Sequence, residues 1–383
     1  MSELPLFPVT TVGSWPRPAK AAEALRQFRR QRITRAEFDR AVDAEVIELL
    51  RLQTRLGCDL VTDGELRRDN FYSFVADKLT GVRLMTLADM LDIVEDKAGF
   101  ERLLQTLDVP AYSISSPICA GQIARREPLA GGDLAFMRRH TDRPVKITLP
   151  GPYLLTRAMF VPEVTGAFYA AKEDLAEDVV ALLRAELAEL AAAGADFVQF
   201  DEPVLTELAF APGSTRTFMC AALAARRDPA EELELAVSLI NRVVEGIRGV
   251  RIGVHVCRGN WSRDETTLLS GGYRPLAPYL ERLNVAQLVL EYATDRAGAL
   301  IAFGGKEVGL GVVNPRTDAV ESSAAIRAAV EDALRLYPAD RIFLNPDCGF
   351  GTFSSRPMNT WETAAAKVGA MVAAARELRG GAR

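Results

Sequence analysis

Apolar residues recur at helical spacing over residues 35–56, where Phe38, Val42, Val46, Leu49, Leu50 and Leu56 fall on one face of a 3.6-residue period. Gly57 follows in the position that ends helices. Next comes a short apolar run tipped with acids, Cys58-Asp-Leu-Val-Thr-Asp63-Gly64-Glu65. The same phrase of helix, glycine, strand and acid returns: residues 171–193 have helical spacing, Gly194 closes them, and Asp196-Phe-Val-Gln-Phe-Asp201-Glu202-Pro203 reads as a strand. A helix over 231–247 leads into Arg251-Ile-Gly-Val-His255-Val-Cys257, and the run Ala286-Gln-Leu-Val-Leu-Glu291 repeats the design. Lys306 to Arg316 contains another strand, Asp318 is placed to cap a helix reaching 336, and Arg341-Ile-Phe-Leu-Asn345-Pro-Asp347-Cys348-Gly349 precedes a last helix over 361–378.

With the openings at Leu6-Phe-Pro-Val and Val145-Lys-Ile-Thr-Leu-Pro150, eight strands are predicted, starting near 7, 58, 145, 196, 251, 286, 306 and 341. Strands separated by helices imply parallel pairing, and eight such units predict a (β/α)8 TIM barrel. A doubly wound open sheet competes, but no G-x-G-x-x-G opens any of the helices. Residues 66–143 are too long for a minimal connection. They predict an inserted segment after the second strand, with a helical piece over 86–107 and a small strand over 111–117, forming a subdomain or lid within a single domain of 1–383. The polar stretch 214–228 reads as a second long loop.

Composition narrows the function classes. The chain of 383 residues is 49% hydrophobic and 25% charged, which suits a soluble globular protein. A net charge of −5 carries no basic footprint for nucleic acid. No uncharged apolar stretch reaches the ~18 residues of a membrane span, and the N-terminus lacks a secretory pattern. Five cysteines at wide spacing, with no C-x-x-C, argue against a disulfide framework and for a reducing cytoplasm.

Candidate chemistry gathers where the predicted strands end. Ser14, Glu65, Asp201, His255, Cys257, Glu291 and Cys348 all fall at or just past a C-terminal strand end, the face on which such barrels build their sites. His255 and Cys257 are two apart in an extended chain and so point to one side. Alone they read equally as half a metal site or as a buried strand with an incidental cysteine. Glu291 and Cys348 from neighbouring strands complete a set of N, S, O and S donors, and two thiolates select zinc over magnesium or calcium. A thiol brought to such a metal is deprotonated yet electron-rich, which suits attack on carbon.

The order Val12-Gly13-Ser14-Trp-Pro, Asp63-Gly64-Glu65, Asp201-Glu202-Pro203, His255-x-Cys257, Glu291 and Asn345-Pro-Asp347-Cys348-Gly349 resembles the catalytic C-terminal barrel of cobalamin-independent methionine synthase. The resemblance covers nearly the whole chain. It implies a zinc-dependent methyltransferase acting on homocysteine, with His255, Cys257, Glu291 and Cys348 as zinc ligands. It also implies that Ser14, Glu65 and Asp201 hold the amino and carboxyl groups of that substrate. Two departures concern the donor. Gly311-Val-Val313-Asn314-Pro315-Arg316 lacks the histidine that the family carries before its Pro-Arg, and no tryptophan follows Gly151-Pro152. The resemblance therefore leaves the donor open between 5-methyltetrahydrofolate and methylcobalamin or a corrinoid protein. The short single-barrel forms also resemble epoxyalkane:coenzyme M transferase and corrinoid-protein methyl relay partners. Arg258, Arg67 and Arg68 are either substrate contacts or structural ion pairs, Glu202 orients the turn into Pro203, and His140 is a surface residue. Cys58, Cys119 and Cys220 are core or surface thiols.

Overall fold

The computed structural model describes residues 3–90, 93, 97, 115–210, 228–354 and 356–381. Among these residues eight strands form two sheets. β1 (Leu79–Thr86) and β2 (Ser115–Arg125) pair antiparallel. β3 (Lys146–Pro150), β4 (Phe197–Asp201), β5 (Arg251–Val256), β6 (Gln287–Leu290), β7 (Glu307–Val313) and β8 (Ile342–Pro346) pair parallel in chain order. All but the first residues of β5 and β7 are buried, as strands covered on both faces require.

Two further segments close this sheet into a barrel. Val9 bridges Leu344 of β8, and Val61 bridges Val145 ahead of β3, both in parallel. Thr10 N donates to the Leu344 carbonyl at 3.0 Å, Asp59 N to Val9 at 2.9 Å and Lys146 N to Val61 at 2.9 Å, so the ladder runs unbroken from β8 to β3. The architecture is the (β/α)8 barrel, and the six later strands begin within two residues of their expected starts. The two opening strands are shorter than expected, a single bridge each. Pro8 and Pro144 have no N–H to give to a ladder. The Val9 amide is diverted to the Asp59 side chain at 2.8 Å.

The helices obey their local signals. Arg35–Leu56 starts at Thr34, whose hydroxyl accepts from Glu37 N while the Glu37 carboxylate accepts from Thr34 N, and it ends at Gly57 with φ 102°. Phe38, Val42, Val46, Leu49 and Leu50 are buried, as the pattern required. Lys172–Ala192 and Trp361–Gly381 match their expected spans closely. The helix expected to start at Asp318 is Ser323–Ala333, capped by the Ser322 hydroxyl. Asp318 instead pairs with Arg263 at 2.7 Å. No helix among the described residues is long and apolar enough to cross a membrane.

Within 66–143, β1 is an element that the sequence reading did not anticipate, and it bulges between Thr80 and Val82. Gly81 sits there at φ 73°, and a Cβ would lie 2.3 Å from the Gln122 carbonyl. Of the helical piece expected over 86–107, Leu87–Met90 is helical and most of the remainder lies outside the described residues. The small strand expected over 111–117 overlaps β2 from Ser115, and 111–114 lie outside the described residues. The loop expected over 214–228 likewise lies outside them up to Asp228, which caps the helix Pro229–Val244.

Asp59 accepts from Val9 N at 2.8 Å and from Arg379 at 2.6 Å, tying the opening segment, the second segment and the last helix together. Asp59→Ala leaves the Val9 amide unpaired at the seam. The expected destabilisation is about 1–3 kcal/mol in urea unfolding, with the denaturant slope unchanged.

Candidate active site

The parallel register sets the site. Asp201 at the end of β4 lies beside His255 on β5, and His255 beside Val289 on β6. His255 Nδ1 lies 3.0 Å from the Val289 carbonyl and donates to it, and the buried Nε2 has no hydrogen-bond partner of its own. Donor atoms of His255, Cys257 and Cys348 lie within 4.8 Å of one another, and all three residues are buried. An unpartnered imidazole nitrogen beside two thiols is a donor set that fits zinc. The hydrogen bond from Cys348, and the neighbouring His255, hold the Cys257 thiol well below its ordinary value. Their shared proton and burial push Cys348 up. Burial pulls the His255 imidazole down, but the contact with Cys257 and the charges of Cys257, Asp201 and Glu291 outweigh it and raise it to about 9.

A pocket of about 450 Å³ opens onto these groups, lined also by Ser14, Glu65, Asp201, Asn260 and Thr352, with Val12, Phe71 and Pro203 as apolar walls. Six of the seven sequence-predicted site residues therefore meet there. Glu65 is held in the left-handed region at φ 54°, directly after Gly64 at φ 68°, and its amide donates to Asp63 at 3.0 Å. A non-glycine residue in that conformation stores about 1–3 kcal/mol of strain, which the surrounding packing must hold. Its Oε1 accepts from the Thr148 hydroxyl at 2.7 Å, and its buried Oε2 has no partner. Asp201 Oδ1 accepts from Gln199 at 2.7 Å, and burial raises this carboxyl to about 7. Ser14 faces Gly349 so closely that a Cβ there would lie 2.0 Å from the Ser14 hydroxyl.

Glu291 is the seventh, and it does not line the pocket. It is buried among three arginines: Oε2 accepts from Arg258 N at 3.1 Å and from Arg296 at 3.4 Å, and Oε1 from Arg316 at 3.3 Å. Burial works to raise its titration, and Arg316, Arg296 and Arg258 more than offset this and hold it low. Its charge is felt by both His255 and Cys348, so it lies beside the trio without joining it.

The remaining candidates resolve as structural contacts. Arg258 is fully buried, donates to Gly271 at 2.7 Å and stacks 3.9 Å from the Tyr273 ring centroid. Arg67 pairs with Asp43 at 2.6 Å, and Arg68 donates to the Thr148 carbonyl at 2.9 Å. Glu202 accepts from Tyr153 N and Leu154 N, so it caps the helix Pro152–Met159 instead of acting on the turn at Pro203. His140 is exposed, Cys58 and Cys119 are buried, and Cys220 lies outside the described residues. Four residues escaped the sequence reading. Asn260 donates to the Gly349 carbonyl at 2.8 Å and to Thr352, and accepts from Arg316. Lys146 is fully buried with its ammonium on the Thr11 carbonyl at 2.8 Å, and burial lowers it to about 7. Thr148 and Gln199 share its inward face, a parity that strand alternation alone could have revealed.

Removing Glu291 takes the shared carboxylate from three buried guanidinium groups, leaving Arg258 and Arg296 with backbone carbonyls and Arg316 with Glu265 and Asp347. Glu291→Ala should therefore lose about 3–5 kcal/mol of unfolding free energy, read from urea denaturation of the metal-free protein. An unchanged midpoint would show that the arginine web carries no weight.

Comparison with known proteins agrees with this geometry. Residues 7–377 match the family described as cobalamin-independent synthase, catalytic domain. A methionine synthase of Saccharolobus solfataricus is 27% identical over 362 residues, covering 93% of this chain and 92% of the relative. A 5-methyltetrahydropteroyltriglutamate–homocysteine methyltransferase of Mycolicibacterium paratuberculosis is 29% identical over 384 residues, 99% of this chain but 44% of that longer protein. The solved B12-independent methionine synthase of Shewanella sp. W3-18-1, in complex with selenomethionine, superposes with a TM-score of 0.75 at 22% identity, covering 98% of this chain and 99% of that one. With a barrel of this architecture and a family match over almost its full length, the chain belongs to the cobalamin-independent methionine synthase family.

Proposed function

We propose that this protein methylates the sulfur of homocysteine to give methionine, with zinc as its metal. The observation that carries the reading is the meeting, in one pocket, of the His255, Cys257 and Cys348 donors with the two carboxylates Glu65 and Asp201. His255, Cys257 and Cys348 would hold the ion, and Glu291, beside them but held by Arg258, Arg296 and Arg316, would be the nearest further donor. Zinc in such a set keeps a substrate thiol as an electron-rich thiolate at neutral pH.

The chain's own residues do the rest. The free Oε2 of Glu65 and the carboxylate of Asp201 accept from the substrate ammonium, and the Ser14 hydroxyl donates to its carboxylate. Val12, Phe71 and Pro203 exclude water from the sulfur, which strengthens the nucleophile by removing its hydration. Phe71, near the start of the inserted segment, supplies one of these walls. Free, buried thiols suit work in a reducing cytoplasm. Coenzyme M lacks an ammonium, so Glu65 and Asp201 favour an amino-acid thiol over the epoxide reaction. For the donor, the family's independence from cobalamin and the name of the Mycolicibacterium relative favour a methyltetrahydropteroyl compound. One observation favours a corrinoid instead. The chain has two histidines, one among the metal donors and one exposed, so no second imidazole faces the pocket to protonate a departing pterin.

Zinc-loaded protein is incubated with homocysteine and either methyltetrahydropteroyltriglutamate or methylcobalamin, and methionine is measured. Methionine from the pterin donor is the expected result. Its formation from methylcobalamin alone would replace that donor, and its formation from neither would sink homocysteine methylation. Independently of turnover, Cys257→Ser and Cys348→Ser should retain far less metal than the about one zinc per chain expected of the parent, measured by elemental analysis after dialysis.

A further inference from the structure

The ammonium cradle is built in tiers on the inner wall of the barrel. β3 and β4 pair residue for residue, so Lys146 lies beside Phe197, Thr148 beside Gln199, and Pro150 beside Asp201. The middle tier holds the carboxylates above it. Gln199 donates to Asp201 Oδ1 at 2.7 Å and to the Val12 carbonyl at 3.0 Å, and Thr148 donates to Glu65 Oε1 at 2.7 Å.

The Thr148 hydroxyl has a second neighbour that decides what Glu65 can do. Arg68 donates to that oxygen at 3.2 Å and to the Thr148 carbonyl at 2.9 Å. The guanidinium and the Glu65 carboxylate are both buried, yet they stand 4.0 Å apart. A hydroxyl that accepts from an arginine has its own proton free for the carboxylate on the other side. Thr148 thus stands as a spacer between two opposite charges that would otherwise close into a bidentate pair. On the opposite flank Gly13 leaves no spare room, since a Cβ there would lie 2.5 Å from Glu65 Oε1 and 2.8 Å from the Thr148 methyl. One carboxylate oxygen is therefore pinned from below, and Oε2 remains buried without a partner.

We infer that Thr148 is a positioning residue for substrate selection: its hydroxyl keeps Glu65 from pairing directly with Arg68 and so reserves Glu65 Oε2 for the ammonium of an α-amino thiol. The inference rests on the reading of Glu65 and Asp201 as the ammonium site. Thr148→Val keeps the methyl contact with Gly13 and removes only the hydrogen-bonding oxygen. Glu65 then swings onto Arg68, and the pocket loses its preference for an amine while the thiol half is untouched.

The test is equilibrium binding by titration calorimetry, using zinc-loaded protein with homocysteine and with 4-mercaptobutanoate, its analogue without the amino group. The parent should prefer homocysteine. Thr148→Val should weaken homocysteine about tenfold, the scale of one hydrogen bond to a charged group, and leave 4-mercaptobutanoate and zinc content unchanged. Thr148→Ser should restore the preference, and Thr148→Ala is the substitute should the valine variant not fold. A parent that prefers homocysteine alongside a Thr148→Val variant that prefers it equally overturns the inference alone. A parent with no preference overturns the ammonium site and the inference together.

Discussion

The structure depends on the stagger of its parallel ladder. Following register partners from β4 leads through Asp201, His255, Val289, Gly309 and Phe343. The row begins at the C-terminal end of β4 and finishes near the start of β8, as the tilt of a closed barrel demands. Reaching the level of His255 from β8 therefore takes several more residues, and Cys348 lies five beyond Phe343. The cluster of His255, Cys257 and Cys348, drawn from β5 and β8, forms because the shear brings a residue past one strand end level with a residue inside another.

Burial then sets a rule for every charge near that row. An ion taken out of water must be paired or surrender its proton. Glu291 meets the rule with three arginines, and Arg316 reaches on to Asp347 at 3.6 Å. Lys146 meets it with a carbonyl and the face of Phe197, 5.0 Å from the ring centroid. Glu65 meets it only by half, and so does the imidazole of His255. Those two incomplete cases face the same pocket. Both open atoms lie at the pocket where the proposed reading puts a metal and an ammonium.

Legibility in the sequence divided along the range of the interactions. Strand starts, the helix over Arg35–Leu56 and its glycine stop were readable because caps and periodicity act within a few residues. The convergence of Ser14, Glu65, Asp201, His255, Cys257 and Cys348 was readable because barrel strand ends share one face. Of the arginines on Glu291, Arg258 was legible as a candidate ion pair, but Arg316, 25 positions away, and Arg296 were not, since nothing local distinguishes them from surface charges. Strand alternation could have shown Thr148 facing inward, but not its contact with Glu65, 83 positions distant. Asp318 misled because Ser322 offers an equally good cap four residues on, and the fold gives Asp318 to Arg263.

Asn260 shows how the His255, Cys257 and Cys348 cluster and the arginine web are joined. Its amide donates to the Gly349 carbonyl, next to Cys348, while its oxygen accepts from Arg316, which holds Glu291. Ser14 and Gly349 are in such close contact that the opening segment shares in this junction. Asn260 thus joins the backbone beside Cys348 to the arginine that holds Glu291. The backbone after Cys348 is therefore tied to the electrostatic cluster on the neighbouring strands, so the trio and the arginines that hold Glu291 share one hydrogen-bonded frame.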